Sequence, residues 1–155
     1  LCPVRPSCPG IAAGLTEQRP YQAANAERPT RRGTAFVAVR EDGAVLLRER
    51  PPKGLLGGML EAPSTPWQEG AHREAAETEA PLKACWISVP GLVSHTFTHF
   101  HLELTVHRAD VSAKAKLRAS AEPARCRWVE QQDLRAAALP TVMRKVLGLA
   151  LKPRE

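Results

Sequence analysis

No run of apolar residues in this chain comes near the ~20 that a membrane-spanning helix requires. The first residues also lack a charged segment leading into an apolar stretch, the form of a secretory leader. Aromatics are scarce, at 5% of residues, so the basic charge is not interleaved with stacking side chains, and charge alone favours nucleic acid only slightly. Cys85 and Cys126 stand far from any Cys or His at metal-ligand spacing. These absences lead to the expectation of a soluble, intracellular domain, in which Cys85 and Cys126 serve as small buried hydrophobes.

What is present fits one folded unit. A chain of 155 residues can bury ~68–70% of its unfolded surface. Its 43% hydrophobic and 25% charged residues are globular proportions, while 14 prolines and 10 glycines imply long irregular connections. The net charge of +6 is unevenly spread: residues 1–33 carry +3, 34–112 carry −3 and 113–155 carry +6. A polyanion would therefore be met by the ends and by selected loops, although solubility alone also explains such a balance. The chain starts at Leu1 rather than Met, and its first ten residues read as the tail of something larger. Cys2 and Cys8 are either half of a four-thiolate iron-sulfur site completed upstream, or unliganded thiols or an adventitious disulfide.

Residues 9–33, with Pro9, Pro20 and Pro29 and little apolar periodicity, read as a linker. From Thr34 the pattern becomes a hairpin, 34–40 and 44–50, turning at Asp42-Gly43, where glycine accepts the positive φ of a tight turn. The Lys53–Gly58 loop is glycine-rich enough to cradle phosphate, but no helix start follows it, which favours a packing turn. Thr65-Pro66-Trp67-Gln68 has the form of a capping box and predicts a helix over 69–79. An apolar segment at 82–88, a second hairpin of 92–97 with 100–108, a strand at 125–130 and helices at 131–138 and 140–151 follow. Strands with segregated helices predict an α+β domain around a mixed, mostly antiparallel sheet flanked by helices.

The densest chemistry lies in His95-Thr-Phe-Thr-His-Phe-His-Leu102, just after Pro90-Gly91. A nucleobase needs a flat apolar surface to stack on and polar groups that read its edge, and this octapeptide supplies both. If 92–107 were instead one unbroken strand, His95, Phe97, His99 and His101 would share an ordinary half-buried face. A second constellation is Arg73-Glu-Ala-Ala-Glu-Thr-Glu79, similar to the helical part of a Nudix box, whose carboxylates hold a divalent metal against a pyrophosphate. The rest of that box fails in either register. Counting back from Arg73 puts Thr65 where a Glu is needed and Met59 where a Gly is needed. Counting forward from Gly58 gives Ser64 and His72 for the Glu and the Arg. Thr78 also replaces the second residue of the Glu-Glu pair, so the acidic run reads as a solvated face.

Gly54–Glu61, His95–Leu102, Arg127-Trp-Val129 and Ala138–Val146 together resemble the C-terminal domain of adenine DNA glycosylases of the MutY family, over nearly the whole chain. The resemblance implies an α/β/α Nudix-like fold at 34–155 without hydrolase chemistry, a linker at 9–33, and at 1–8 the end of an iron-sulfur region. Cys2 and Cys8 would be the last two ligands of a [4Fe-4S] cluster in the full-length protein. The catalytic acid would lie in a missing N-terminal glycosylase domain, leaving no catalytic residue and no cofactor in this piece. It also implies a monomeric, cytoplasmic bacterial protein acting on double-stranded DNA in which 8-oxoguanine is paired with adenine, with no membrane partner.

In that family the tip reads Phe-Ser-His, and here Thr98 stands in place of the Ser. 8-Oxoguanine differs from guanine by an oxygen at C8 and a proton on N7. The Thr98 N–H can donate to the first and its hydroxyl can accept from the second. Phe97 would wedge beside the lesion, His99 would sit near the backbone or base edge, and His95 would lie close to the loop. Arg31, Arg32 and Arg40 are candidates for phosphate contact. The rival readings are a Nudix pyrophosphohydrolase acting on an oxidised nucleotide and a non-enzymatic module binding metal or protein through His95, His99 and His101.

Overall fold

The computed structural model describes residues 27–71, 74–75 and 77–153. Its frame is a pair of long strands, β1 (Thr30–Arg40) and β7 (His101–Val111), paired in parallel along their whole length from Thr30↔His101 to Arg40↔Val111. Around them lie β2 (Val45–Glu49), β3 (Leu60–Glu61), β4 (Gln68–Glu69), β5 (Ile87–Ser88), β6 (Val93–Thr96) and β8 (Cys126–Val129). The sheet runs β3-β2-β1-β7-β5, with β4 added to β1, β6 to β7 and β8 to β2. Every pairing other than β1 with β7 is antiparallel, so the expected mixed, mostly antiparallel sheet is what forms.

Both faces of the central strands are covered, which is why β1 reads as a continuous apolar run. Ala35, Val37 and Val39 point to one side, where they meet Leu102, Leu104, Val106 and the helix α1 (Thr141–Ala150). α1 buries Val142, Met143, Val146, Leu147 and Ala150, a single stripe at helical spacing. Arg108 donates from Nη1 to the Ala150 carbonyl at 2.9 Å, placing a cation at the helix C-terminus. On the other side Ala38, Leu46, Leu82, Ala109 and Val111 form a smaller core beneath Trp86 and Trp128. Among the described residues no helix is long and apolar enough to cross a membrane.

Several expectations are corrected. β1 begins at Thr30, so residues 30–33 of the expected linker are sheet, while 9–26 lie outside the described residues. The first hairpin turns through Glu41-Asp42-Gly43, with the Arg40 N–H on the Ala44 carbonyl at 2.7 Å and only Gly43 at positive φ (+91°). The loop is the three residues that the expected strands 34–40 and 44–50 leave between them. The helix expected over 69–79 does not form as such: Glu69 belongs to β4, residues 74–75 are irregular and Glu77–Glu79 is a short 3-10 turn. Its supposed cap, Thr65, is buried and bonded to Thr34 instead. The helix expected at 131–138 is a 3-10 turn, Gln131–Asp133, followed by further turns. Cys85 is exposed rather than buried, and Cys126 is half-buried with its thiol directed at the Ala121 carbonyl, where burial pushes its pKa up.

Candidate nucleic-acid interface

The expected second hairpin is present. β6 and β7 pair from Val93↔Leu104 to Thr96↔His101, and the Phe97 N–H donates to the Phe100 carbonyl at 2.8 Å to close the tip. Thr98 and His99 are the two residues at its apex, both exposed and neither in a left-handed conformation. The unbroken-strand alternative is thereby excluded, because the histidines divide between two strands and a turn. Residues 28–29 brace the tip from outside: Arg28 donates from Nε to the Thr98 carbonyl at 3.0 Å, and the His101 N–H reaches the Pro29 carbonyl at 2.9 Å. The Arg28 bond engages neither the N–H nor the hydroxyl of Thr98.

Beneath the apex lies an aromatic cluster. Phe97 is half-buried, with its ring 4.9 Å from Phe100, 6.1 Å from Trp67 in a stacked arrangement and 4.7 Å from His95 edge-on. Such pairs each add ~0.5–1.5 kcal/mol beyond the burial of their surface. The expected wedge is thus seated on a platform rather than projecting freely. Trp67 can lie across β1 because position 33 is glycine, where a Cβ would stand 3.0 Å from the Trp67 Cδ1. His95 is half-buried, and its pKa is lowered by that burial and then by Lys145, whose Nζ bonds the neighbouring Ser94 carbonyl at 3.0 Å. Both effects favour the neutral imidazole over the charged one. His101 pairs its Nδ1 with the Thr96 hydroxyl at 2.8 Å, away from the apex.

The three candidate arginines do not form one surface. Arg31 lies at the tip end of β1, its guanidinium 4.4 Å from the centre of the Phe100 ring. Arg32 is engaged by Glu103 at 3.0 Å and by the Gly70 carbonyl. Arg40 stands at the opposite end of the strand, roughly 30 Å away at ~3.3 Å per residue, held by Asp42 and stacked over Trp128. Sequence reasoning missed Trp67 and Arg28, whose roles depend on contacts between distant segments. It also missed Arg48 and Arg50, whose side chains clasp the buried carboxylate of Glu61.

The metal chemistry of a Nudix box does not fit these residues. Where the box needs a carboxylate, the Thr65 hydroxyl instead accepts from the Thr34 N–H at 3.0 Å. Glu74 and Glu77 are exposed, and no group of three or more His, Cys, Asp or Glu among the described residues could hold a metal ion. In the Lys53–Gly58 loop two amides are spent internally, Gly57 on the Gly54 carbonyl and Gly58 on those of Arg50 and Pro51, which favours the packing turn. Arg73, Cys2 and Cys8 lie outside the described residues.

A model of the NUDIX domain matches residues 34–149. The chain belongs to the Nudix domain family. Within that family it is similar to adenine DNA glycosylases: it is 31% identical to the human enzyme over 134 residues, which is 79% of this chain and 24% of the human protein. The rat enzyme is likewise 31% identical, over 76% of this chain and 25% of its own length. The chain thus spans about a quarter of the curated relatives it matches. Among solved structures, the C-terminal domain of mouse MUTYH, determined in complex with human PCNA, superposes with a TM-score of 0.59 at 26% identity, covering 81% of this chain and 94% of that one. A MutT protein from Methanosarcina mazei superposes at a TM-score of 0.58 and 17% identity, over 80% and 94%, which speaks to the fold alone. The resemblance drawn from the sequence motifs stands.

Proposed function

We propose that this Nudix-like domain reads 8-oxoguanine in duplex DNA, as part of an adenine DNA glycosylase that removes the adenine opposite. The observation that carries the reading is the exposed Thr98 at the hairpin apex, with Phe97 directly beside it on an aromatic platform. The Thr98 N–H donates to the oxo group at C8 and its hydroxyl accepts the N7 proton, a pair of contacts that guanine cannot offer. Phe97 partly unstacks the lesion, sliding its exposed edge between neighbouring bases while its inner face stays on Phe100 and Trp67. His99 lies beside the base edge or backbone and His95 supports Phe97. The similarity to adenine DNA glycosylases supports DNA as the partner.

By the resemblance to adenine DNA glycosylases, of which this chain spans about a quarter, hydrolysis of the N-glycosidic bond belongs to another part of the parent protein. Cys2 and Cys8 supply two of the four thiolates that an iron-sulfur cluster requires, and the remaining ligands lie outside this chain. In the parent protein, Thr98→Ala or Thr98→Val lowers the preference for adenine opposite 8-oxoguanine over adenine opposite guanine by ~1–3 kcal/mol. An unchanged affinity ratio in both variants rules out the Thr98 hydroxyl as a reader of the lesion. Pyrophosphate release from an oxidised nucleoside triphosphate in Mg²⁺ by the chain would favour the hydrolase instead.

A further inference from the structure

The apex of the fingertip does not hold itself in shape. Tight two-residue hairpins lock their turn through positive φ at one or both central residues. Thr98 and His99 both stay outside that region, so the bond from the Phe97 N–H to the Phe100 carbonyl at 2.8 Å closes the base of the tip without fixing the two residues above it. Among the described residues, the hydrogen bond made to an apex group comes from 70 positions away: Arg28, half-buried, donates from Nε to the Thr98 carbonyl at 3.0 Å. The backbone just beyond Arg28 is itself anchored, because the Pro29 carbonyl accepts from the His101 N–H at 2.9 Å and Thr30 pairs with His101 across β1 and β7. The guanidinium therefore hangs from the sheet.

With Thr98 as the lesion reader, a reading on which this rests, we propose that Arg28 is the positioning residue of that reader. The Phe97 N–H bond and the seated Phe97 ring fix the backbone on the near side of Thr98, and the Arg28 bond fixes the peptide on its far side. Both flanking peptides being set, the Thr98 N–H has one direction. Threonine, branched at Cβ, then has few rotamers left for its hydroxyl. 8-Oxoguanine draws on both groups, whereas guanine cannot engage them as a pair, so the cost of ordering the apex falls mainly on lesion binding. Fixing the backbone of one residue in advance is worth about five- to thirtyfold in an equilibrium constant. The bond is exposed and adds little to the stability of the fold; it acts on the shape of the apex.

The brace needs a donor at Nε rather than a charge, and two variants part these properties. Glutamine carries an N–H donor the same number of bonds from the backbone as the arginine Nε, without the charge, while methionine fills similar space with no donor. In the parent protein, Arg28→Met is expected to lower the preference for adenine opposite 8-oxoguanine over adenine opposite guanine by at least about fivefold, and Arg28→Gln by less than about twofold. Equal loss in the two variants overturns the proposal, since charge alone then matters. So does an unchanged preference in Arg28→Met where Thr98→Ala lowers it. NMR relaxation of the backbone amides in the 155-residue chain tests the brace with no DNA present. Order parameters at Thr98 and His99 fall from about 0.85 to below about 0.6 in Arg28→Met and stay high in Arg28→Gln, while those of 101–104 are unchanged. An apex equally ordered in wild type and Arg28→Met overturns the brace. Should Thr98→Ala leave the preference unchanged, the lesion reading fails, and relaxation alone decides whether Arg28 holds the apex.

Discussion

Thr65 and Thr34 are joined by two hydrogen bonds: the Thr65 N–H to the Thr34 carbonyl at 2.9 Å, and the Thr34 N–H to the Thr65 hydroxyl at 3.0 Å. Thr34 is 1% exposed, so no water replaces a lost partner. Thr65→Val therefore leaves a buried N–H unsatisfied and destabilises the fold by about 1–3 kcal/mol, whereas Thr65→Ser, which retains the hydroxyl, costs under about 1 kcal/mol. Denaturant unfolding of the two variants measures the difference.

The same pair shows where sequence reading succeeds and where it stops. Thr65-Pro66-Trp67-Gln68 satisfies the local grammar of a helix start, but the Thr65 hydroxyl is taken by a residue 31 positions away. Local patterns cannot register that competitor. The fingertip was legible because Pro90-Gly91, the alternation of 92–97 and 100–108 and the apex all lie within one contiguous stretch. The Trp67 platform and the Arg48–Glu61–Arg50 clasp were not, since they depend on strand register and on the missing Cβ at Gly33. The helix at 141–150 was legible from its single apolar stripe, whereas 131–138 has the alanines of a helix without enough apolar surface to dock one.

Glu61 is the buried anion of the Arg48–Glu61–Arg50 clasp, and Glu61→Gln leaves two guanidinium groups sharing no charge. The cost is about 2–3 kcal/mol, below the ~3–5 of a fully buried pair because Arg48 and Arg50 keep about a fifth of their side-chain surface in water. A loss of unfolding free energy below about 1 kcal/mol in chemical denaturation would show that the clasp contributes little.

Phe100 is 5% exposed, carries Arg31 on its face and underlies Phe97. Phe100→Ala creates a cavity under the apex and destabilises the domain by about 3–5 kcal/mol. Amide hydrogen exchange at 96–101 should accelerate more than exchange in α1, since the defect lies at the hairpin tip.

Asp42 is held at a pKa of about 2 by its side-chain hydrogen bond from Arg40 and then by the Ala44 N–H. Its folded value is depressed, so its contribution to stability is complete above the unfolded value of about 4 and is lost as pH falls toward 2. Carboxyl chemical shifts should titrate in that acid range. Asp42→Asn removes this part of the acid response while keeping a residue suited to the turn.

A Cβ at Gly57 would stand 2.5 Å from the Pro52 carbonyl oxygen, a backbone atom that cannot swing aside. Gly57→Ala costs about 1–3 kcal/mol through forced displacement of the loop. Gly57 does not adopt a positive φ, so the loss measures crowding rather than dihedral strain.

The parallel union of β1 with β7 joins residues 71 positions apart along eleven consecutive partners. Closing so long a loop before any of those partners is gained places the entropic cost early, and domains dominated by such distant pairings fold over milliseconds to seconds. The β6–β7 hairpin forms locally and quickly, but its apex gains Arg28, Pro29 and Arg31 only when β1 docks. Maturation of the fingertip therefore waits on a long-range closure, and a nascent domain would carry the loop before it could hold it in shape.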